Sequence, residues 1–328
     1  MQPLKESILA TLAYYDVLEY PLSLLEIHRY LVNPQRIYSI SEPVGDISIS
    51  SVLSLLDQLV KEGNISEKYG LYFLPGRDFV VQRIEREKIS AQKWKRLLKI
   101  GYWFQAVPYL RGMFVSGSMA IDNANEKSDL DILVITEPKR MYTSRMLLSF
   151  LASILRARRK RYDTEASNKF CFNHYITSDS LRISHESIYN GETYATLKMI
   201  FGSESLYQDF YRANVWINKY VYHFRPDEYD TLRKIQKNRF LLYLAKIGEW
   251  ILDSKLGDFI ESRLKKYQQG RIRKNPATHA SGGRIIYSDM ELEFHPRSFE
   301  RKLIDQYNKT ISSVCGSLAL PEKDSGLT

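Results

Sequence analysis

The stretch that decides the fold reads VSGSMAIDNANEKSDLDILVIT, residues 115–136. An apolar strand is predicted to end at Gly117 and Ser118, and ten residues later the letters SDLD open a second apolar strand. Asp129 and Asp131 are two residues apart on that strand, so both carboxylates are expected on one face of the sheet. Crowded carboxylates repel each other, and a divalent cation would relieve this repulsion. The pattern therefore predicts a metal site held by these two aspartates.

The residues around this pair favour phosphate chemistry. Gly117 allows a sharp turn and close approach of a ligand to the backbone. The hydroxyl of Ser118 and the free N–H groups at the start of a short helix would suit a phosphate. Mg²⁺ prefers oxygen ligands and bridges phosphates, and two such ions ~3.5–4 Å apart activate a hydroxyl and stabilise a leaving pyrophosphate. These features together predict nucleotidyl transfer from a nucleoside triphosphate (NTP).

The segment GSMAIDNANEKSDLD resembles the DNA polymerase β-type nucleotidyltransferase superfamily, and is especially similar to its minimal and aminoglycoside nucleotidyltransferases. The resemblance covers residues 113–177. It implies that Gly117 and Ser118 hold the triphosphate and that Asp129 and Asp131 are the catalytic residues, ligating Mg²⁺ or Mn²⁺. It also implies that an NTP is the substrate, and it leaves open whether the acceptor is a small molecule, a protein or an RNA.

One feature departs from the superfamily, which usually supplies a third carboxylate from a later strand. The candidate strand, residues 169–177, contains no acidic residue. Asn173 or His174 could occupy the third position, since an amide oxygen binds metal weakly and an imidazole accepts protons near neutral pH. Three acids could reach in from the ends of the strand: Asp163, Glu165 and Asp179. The departure keeps two alternatives open, a catalytically inactive nucleotide-sensing regulator and an antitoxin-like interaction protein.

The predicted fold class is an α/β (α+β) nucleotidyltransferase core with a mixed sheet, flanked by an N-terminal winged-helix domain and a C-terminal helical domain. The boundaries are 1–76 for the winged helix, 77–185 for the core with a linker helix at 78–104, and 186–328 for the helical domain. Hydrophobic periodicity predicts the C-terminal helices, and the basic segment 268–283 is predicted to be a mobile loop. The C-terminal helices are expected at 187–201, 205–220, 240–267 and 298–315.

Charge is distributed unevenly along the chain, whose net charge is +9. Residues 1–75 contain five lysines and arginines against nine acids, whereas residues 77–161 contain 18 basic and 8 acidic residues. DNA affinity depends largely on phosphate neutralisation, so we expect the winged helix to contact protein, including a second copy in a homodimer, rather than DNA. The basic charges of residues 78–104 are interpreted as a solvated helix face, with a phosphate-facing surface as the alternative. The run RARRKR at 156–161 is interpreted as a solvated helix end; the alternative is that it faces the active cleft and holds an RNA or DNA acceptor or nucleotide phosphates.

The apolar runs, the N-terminal segment and the number of cysteines indicate the cellular compartment. No apolar run approaches the ~20 residues that span a bilayer, and the N-terminus lacks the pattern of a secretory signal. The two cysteines, Cys171 and Cys315, are too few for a disulfide framework. The expectation is a cytoplasmic protein without a membrane partner.

Overall fold

The computed structural model describes residues 2–38, 45–159, 165–222, 224–226, 233–279, 283–295 and 299–315. The α-helices in these ranges are α1 (Gln2–Val17), α2 (Leu24–Arg29), α3 (Pro34–Tyr38), α4 (Ile49–Lys61), α5 (Val80–Gly101), α6 (Gly117–Ala120), α7 (Met141–Ile154), α8 (Ile188–Ala195), α9 (Glu204–Ala213), α10 (Arg239–Leu252), α11 (Lys255–Arg273) and α12 (Phe299–Cys315). Three 3₁₀ helices cover Tyr102–Ala106, Val215–Lys219 and Pro276–Thr278. The strands are β1 (Leu22–Ser23), β2 (Ser66–Lys68), β3 (Leu71–Phe73), β4 (Leu110–Val115), β5 (Leu130–Thr136), β6 (Phe170–Thr177), β7 (Lys198–Phe201), β8 (Arg284–Tyr287) and β9 (Glu291–His295).

The central sheet has six strands in the order β7-β4-β5-β6-β9-β8. β5 and β6 are parallel, and α7 connects them; every other neighbouring pair is antiparallel. A parallel pair needs such a crossover, and the helix provides it. The prediction of an α/β fold with a mixed sheet is therefore confirmed.

The two faces of the sheet are covered by two hydrophobic cores. Because side chains alternate along a strand, Leu133 and Ile135 of β5 face one core while Ile132 and Val134 face the other. The first core continues into α1, α8, α9 and α12, and the second includes residues of α5 and α7. The N-terminal helices thus share a core with one face of the sheet.

The N-terminal segment contains a second, three-stranded antiparallel sheet in the order β1-β3-β2. Helix α4 is capped at its N-terminus by Ser48, whose hydroxyl accepts a hydrogen bond from the Ser51 N–H at 3.1 Å. The winged-helix assignment and the domain boundaries stay predictions. None of the helices in the described ranges has the length and hydrophobicity needed to cross a membrane.

The expectation of an all-helical pattern after residue 187 is wrong in three places. The end of the predicted helix 187–201 is β7, because Met199 pairs with Phe114 of β4 and this tertiary pairing overrides local helix propensity. Strands β8 and β9 were not predicted, and β9 pairs with β6. The helix predicted at 240–267 is two helices, since Ser254 caps a new N-terminus and accepts a hydrogen bond from the Gly257 N–H.

The loop predicted at 268–283 begins later than expected. Helix α11 continues to Arg273, so the first part of the segment is helical. Gln268 explains part of this, because its side chain donates to the backbone carbonyl of Tyr142 at 2.9 Å and so fastens α11 to α7. Residues 280–282 lie outside the described residues.

Helix α5 differs from the solvated linker face predicted for residues 78–104. Arg83 is 7% exposed and donates to both carboxylate oxygens of Glu26, each at 2.9 Å. Lys93 is 4% exposed. These two basic residues therefore fix α5 to its neighbours instead of facing solvent.

A buried acid joins α8 to α1. Glu192 is 2% exposed, and its Oε2 accepts a hydrogen bond from the Tyr15 hydroxyl at 3.0 Å. Its Oε1 is buried without a hydrogen-bond donor among the described residues. Burial raises the pKa of Glu192 to about 8.

This raised pKa makes stability depend on pH. The contribution of protonated Glu192 is fully present below its ordinary pKa of 4.5 and is lost as the pH rises through about 8. Glu192→Gln keeps an acceptor for Tyr15 without the buried charge. We expect the free energy of unfolding of the variant to exceed that of wild type by about 4–5 kcal/mol at pH 8.5, and by little at pH 4.5. Urea denaturation at both pH values measures this; an equal difference at the two pH values would contradict it.

Candidate active site

The turn after β4 lies directly beside the aspartate strand. The Ser116 N–H donates to the backbone carbonyl of Asp131 at 3.0 Å, so the two strands stay paired up to the turn. Gly117 follows with φ +63°, in the left-handed region that favours glycine. A Cβ at this position would lie 3.1 Å from Oδ2 of Asp131. Backbone conformation and space therefore both call for glycine here.

The two aspartates lie where β5 begins. Asp129 comes immediately before the strand and Asp131 is its second residue. Leu130 and Ile132 are fully buried, which fixes the opposite face of the strand in the core. One carboxylate oxygen of each aspartate and Sγ of Cys171 all lie within 4.8 Å of one another. The structure thus brings the predicted pair together, with a thiol beside it.

The electrostatics of the pair are those of a crowded, partly buried acid site. Burial, and after it the charge of Asp129, together raise the pKa of Asp131 to about 7. Burial is also the largest cause of a raised pKa for the Cys171 thiol, and the charges of both aspartates raise that pKa as well. Cys171 is therefore a neutral thiol that hydrogen bonds to Asp131. Tyr189 of α8 lies close enough for Asp131 to contribute, after burial, to raising its pKa to about 12.

A β-bulge positions Asn173. The pairing of β5 with β6 shifts between Asp131↔Cys171 and Leu133↔His174, so two residues of β6 stand opposite one residue of β5. Bulges re-aim side chains and are frequent next to active sites. The Asn173 amide donates to Oδ1 of Asp131 at 2.8 Å. Of the two candidates for the third position, Asn173 is the one that contacts the aspartates.

His174 lies elsewhere. Its Nε2 is 3.0 Å from Oε1 of Glu291, and its Nδ1 is 2.9 Å from the Tyr194 hydroxyl. Its side chain is 3% exposed, and its partners belong to β9 and α8 rather than to the aspartate pair. His174 stands opposite Leu133, two residues beyond Asp131 on β5, so its side chain lies farther along the sheet than the aspartate pair.

The other candidate acids do not join the pair in the described structure. Glu165 is exposed and forms an ion pair with Lys127. Asp179 is exposed beyond the far end of β6, whereas Asp131 stands opposite the second residue of that strand. Asp163 lies outside the described residues.

Sequence reasoning did not assign Arg159 to the site. Backbone hydrogen bonds hold its segment against β6: Phe170 N–H donates to the Ala157 carbonyl at 2.7 Å, and Arg159 N–H donates to the Phe170 carbonyl at 3.0 Å. The Arg159 guanidinium then forms an ion pair with Oδ2 of Asp129. The run 156–161 is thus more than a solvated helix end. Its last two residues, Lys160 and Arg161, lie outside the described residues.

Lys93 fixes the loop that leads to Asp129. Its ammonium donates to the carbonyls of Glu126 and Ser128, at 3.1 and 2.8 Å, and to Oδ1 of Asn168 at 3.1 Å. Burial lowers its pKa, and the charge of Asp129 opposes that shift. A lysine inside a charged helix gives no sequence signal of this role, so it could be found only from the fold.

Comparison with known proteins agrees with this geometry. Residues 105–247 match the family model described as Nucleotidyltransferase domain. This range contains both halves of the site, from the turn at Gly117 to the bulge at Asn173. The chain matches no curated protein and no solved structure at a significant level. Residues 105–247 therefore form a nucleotidyltransferase domain of the DNA polymerase β type.

Proposed function

We propose that the protein transfers a nucleoside monophosphate from an NTP to an acceptor hydroxyl, with release of pyrophosphate and with dependence on a divalent cation. The observation that carries the proposal is the placement of the Asp129 and Asp131 carboxylates within 4.8 Å of each other, beside the Gly117 turn. In this reaction the bond between the α- and β-phosphates breaks, and a bond forms between the α-phosphate and the acceptor oxygen.

The residues present fit a hard divalent cation. Asp131 is a half-buried carboxylate whose pKa is raised to about 7 by burial and by Asp129, and a cation would offset both effects by favouring the ionised form. Asp129 and Asp131 would be the ligands of Mg²⁺ or Mn²⁺. When bound, these ions would stabilise the charge on the triphosphate and on the leaving pyrophosphate.

The turn between β4 and α6 would hold the triphosphate. Gly117 has no side chain to block the approach of a phosphate toward the aspartates. The Ser118 side chain is half-buried, and its hydroxyl makes no hydrogen bond within the described ranges. A phosphate oxygen is the kind of partner that this hydroxyl and the neighbouring backbone N–H groups would take.

Arg159 would change partner when substrate arrives. Without nucleotide it neutralises Asp129 through their ion pair. A cation on the aspartates would take over that role and leave the guanidinium, 39% exposed on its side chain, to bind a phosphate oxygen. Arginine suits this exchange because its planar fork matches both carboxylate and phosphate.

A nucleotide-sensing regulator without catalysis is the second candidate, and Asn173 favours it. This residue stands beside Asp131 but donates a hydrogen bond to it, and a neutral amide cannot accept the proton of an attacking hydroxyl. If the superfamily's third carboxylate acts as the general base, its replacement would leave nucleotide binding intact while slowing transfer.

The N-terminal elements would serve as a winged helix that contacts protein. The three-stranded sheet β1-β3-β2 beside α4 supports this assignment. The helix that would lie in a DNA groove, α4, carries Lys61 against Asp57, with Glu62 at its C-cap. Such a surface attracts phosphate poorly, which favours a protein partner or a second copy of the chain.

Radiolabelled substrate tests the proposal. The full chain is incubated with each α-labelled NTP, with Mg²⁺ or Mn²⁺, and with a cell extract separated into small molecules, protein and RNA. We expect label in one acceptor class with wild type and none with the Asp129→Asn/Asp131→Asn variant. Equal labelling by the two proteins would refute the proposal, and nucleotide binding without transfer would favour the regulator.

A further inference from the structure

A second polar cluster lies on the sheet away from the aspartate pair. His174 of β6 stands directly opposite Glu293 of β9, and Glu291 is two residues from Glu293 and so on the same face. One nitrogen of the imidazole and one oxygen of each carboxylate lie within 4.8 Å of one another. The three residues are 3%, 1% and 8% exposed, in the order named.

Buried acids outnumber the buried guanidinium beside this cluster. Arg284 donates to Oε1 of Glu293 and to Oε2 of Glu300, each at 2.7 Å. Glu291 adds a third buried carboxylate to this one guanidinium. Nε2 of His295 also lies 3.4 Å from Oε1 of Glu293, and Nε2 of His185 lies 3.2 Å from Oε1 of Glu300. Buried charges of this kind are paired or coordinate a metal ion.

Two further observations point to a missing ligand. Oε2 of Glu293 is buried and has no hydrogen-bond donor in the part of the chain that the structure describes. The Tyr194 hydroxyl holds Nδ1 of His174 at 2.9 Å and thereby turns Nε2 toward the carboxylates. Metal-binding histidines typically have their other ring nitrogen fixed by such a partner.

We propose that His174, Glu291 and Glu293 bind one divalent transition-metal ion, of the class of Zn²⁺, independently of the aspartate pair. One imidazole and two carboxylates suit Zn²⁺, with water completing four-fold coordination. The ion would place two positive charges between the carboxylates of Glu291 and Glu293. Because its ligands belong to β6 and β9, it would fasten the C-terminal strands to the nucleotidyltransferase sheet.

The test uses the full chain carrying Asp129→Asn/Asp131→Asn, which removes the carboxylates of the other candidate site. This protein is stripped with EDTA, loaded with Zn²⁺, dialysed and analysed for metal content. We expect about one zinc per chain, and an increase in melting temperature on loading. Adding Glu291→Gln or Glu293→Gln should weaken zinc affinity at least about tenfold.

A matched control and a spectroscopic measurement complete the test. Glu261 is a buried acid of α11 that accepts from the Thr143 N–H at 2.7 Å, and Glu261→Gln should keep the zinc. X-ray absorption at the zinc edge of the loaded Asp129→Asn/Asp131→Asn protein should show imidazole and oxygen ligands without sulfur. This measurement does not need the glutamine variants, so it tests the site even if they fail to fold. Absence of zinc, zinc affinity unchanged by Glu293→Gln, or a zinc–sulfur distance of about 2.3 Å, as Cys171 would give, would overturn the proposal.

Discussion

Asp131→Asn is expected to reduce the proposed nucleotidyl transfer by about 10³-fold or more, because it removes a charge that we propose faces the reacting phosphates. The same change should not destabilise the fold near neutral pH. Burial and the charge of Asp129 already raise the pKa of Asp131 to about 7, so a neutral side chain of the same size costs little there. Loss of activity with an unchanged or higher melting temperature is the expected combination.

The same substitution at an aspartate outside the candidate site provides a control for Asp131→Asn. Asp179 is exposed beyond the other end of β6, and Asp179→Asn should leave transfer unchanged. Both variants are assayed with α-labelled NTP and melted at pH 7.5. Transfer by Asp131→Asn within tenfold of wild type would mean that the aspartate pair does not carry the reaction.

Gly117→Ala is expected to lower transfer by up to about 10²-fold, which is the cost of a misplacement of about 1 Å. The added Cβ would lie 3.1 Å from Oδ2 of Asp131, so either the turn or the carboxylate must shift. The left-handed φ of +63° adds a stability cost of about 1 kcal/mol. Kinetics at saturating Mg²⁺ and NTP, together with urea denaturation, measure both effects.

The control for Gly117→Ala separates strain from contact. Gly76 has φ +77°, and a Cβ there would meet nothing within 4 Å. Gly76→Ala should therefore lose a similar amount of stability and keep full activity. If the two variants lose activity equally, or if neither does, the close approach of Gly117 to Asp131 has no catalytic importance.

The central strands and the aspartate pair could be predicted because their signals are local. The letters LDILVIT alternate between buried positions on the two sides of the sheet, and the observed strand β5 covers these seven residues, Leu130–Thr136. The spacing from Gly117 to Asp131 indicated that the turn and the carboxylates would meet, and the two lie in contact distance. Short-range patterns of this kind fix local structure before any packing is known.

What the sequence did not predict depends on contacts distant along the chain. Strand β9 exists because it pairs with β6, more than a hundred residues earlier. Arg159 reaches Asp129 because Phe170 holds its backbone in place. Asn173 reaches Asp131 from a bulge in β6, which no residue type signals. Pairing between distant segments decides such features, so the helix and strand propensities of the local sequence cannot predict them.

Binding of Mn²⁺ in the presence of nucleotide tests most directly the claim that Asp129 and Asp131 hold a cation together with a triphosphate. Free Mn²⁺ is followed by electron paramagnetic resonance while it is titrated with wild type or with Asp129→Asn/Asp131→Asn, with and without a non-hydrolysable NTP analogue. We expect the analogue to strengthen Mn²⁺ binding at least tenfold in wild type and not at all in the variant, after the contribution of Mn²⁺–nucleotide complexes is subtracted. The same nucleotide-dependent increase in both proteins would contradict the claim.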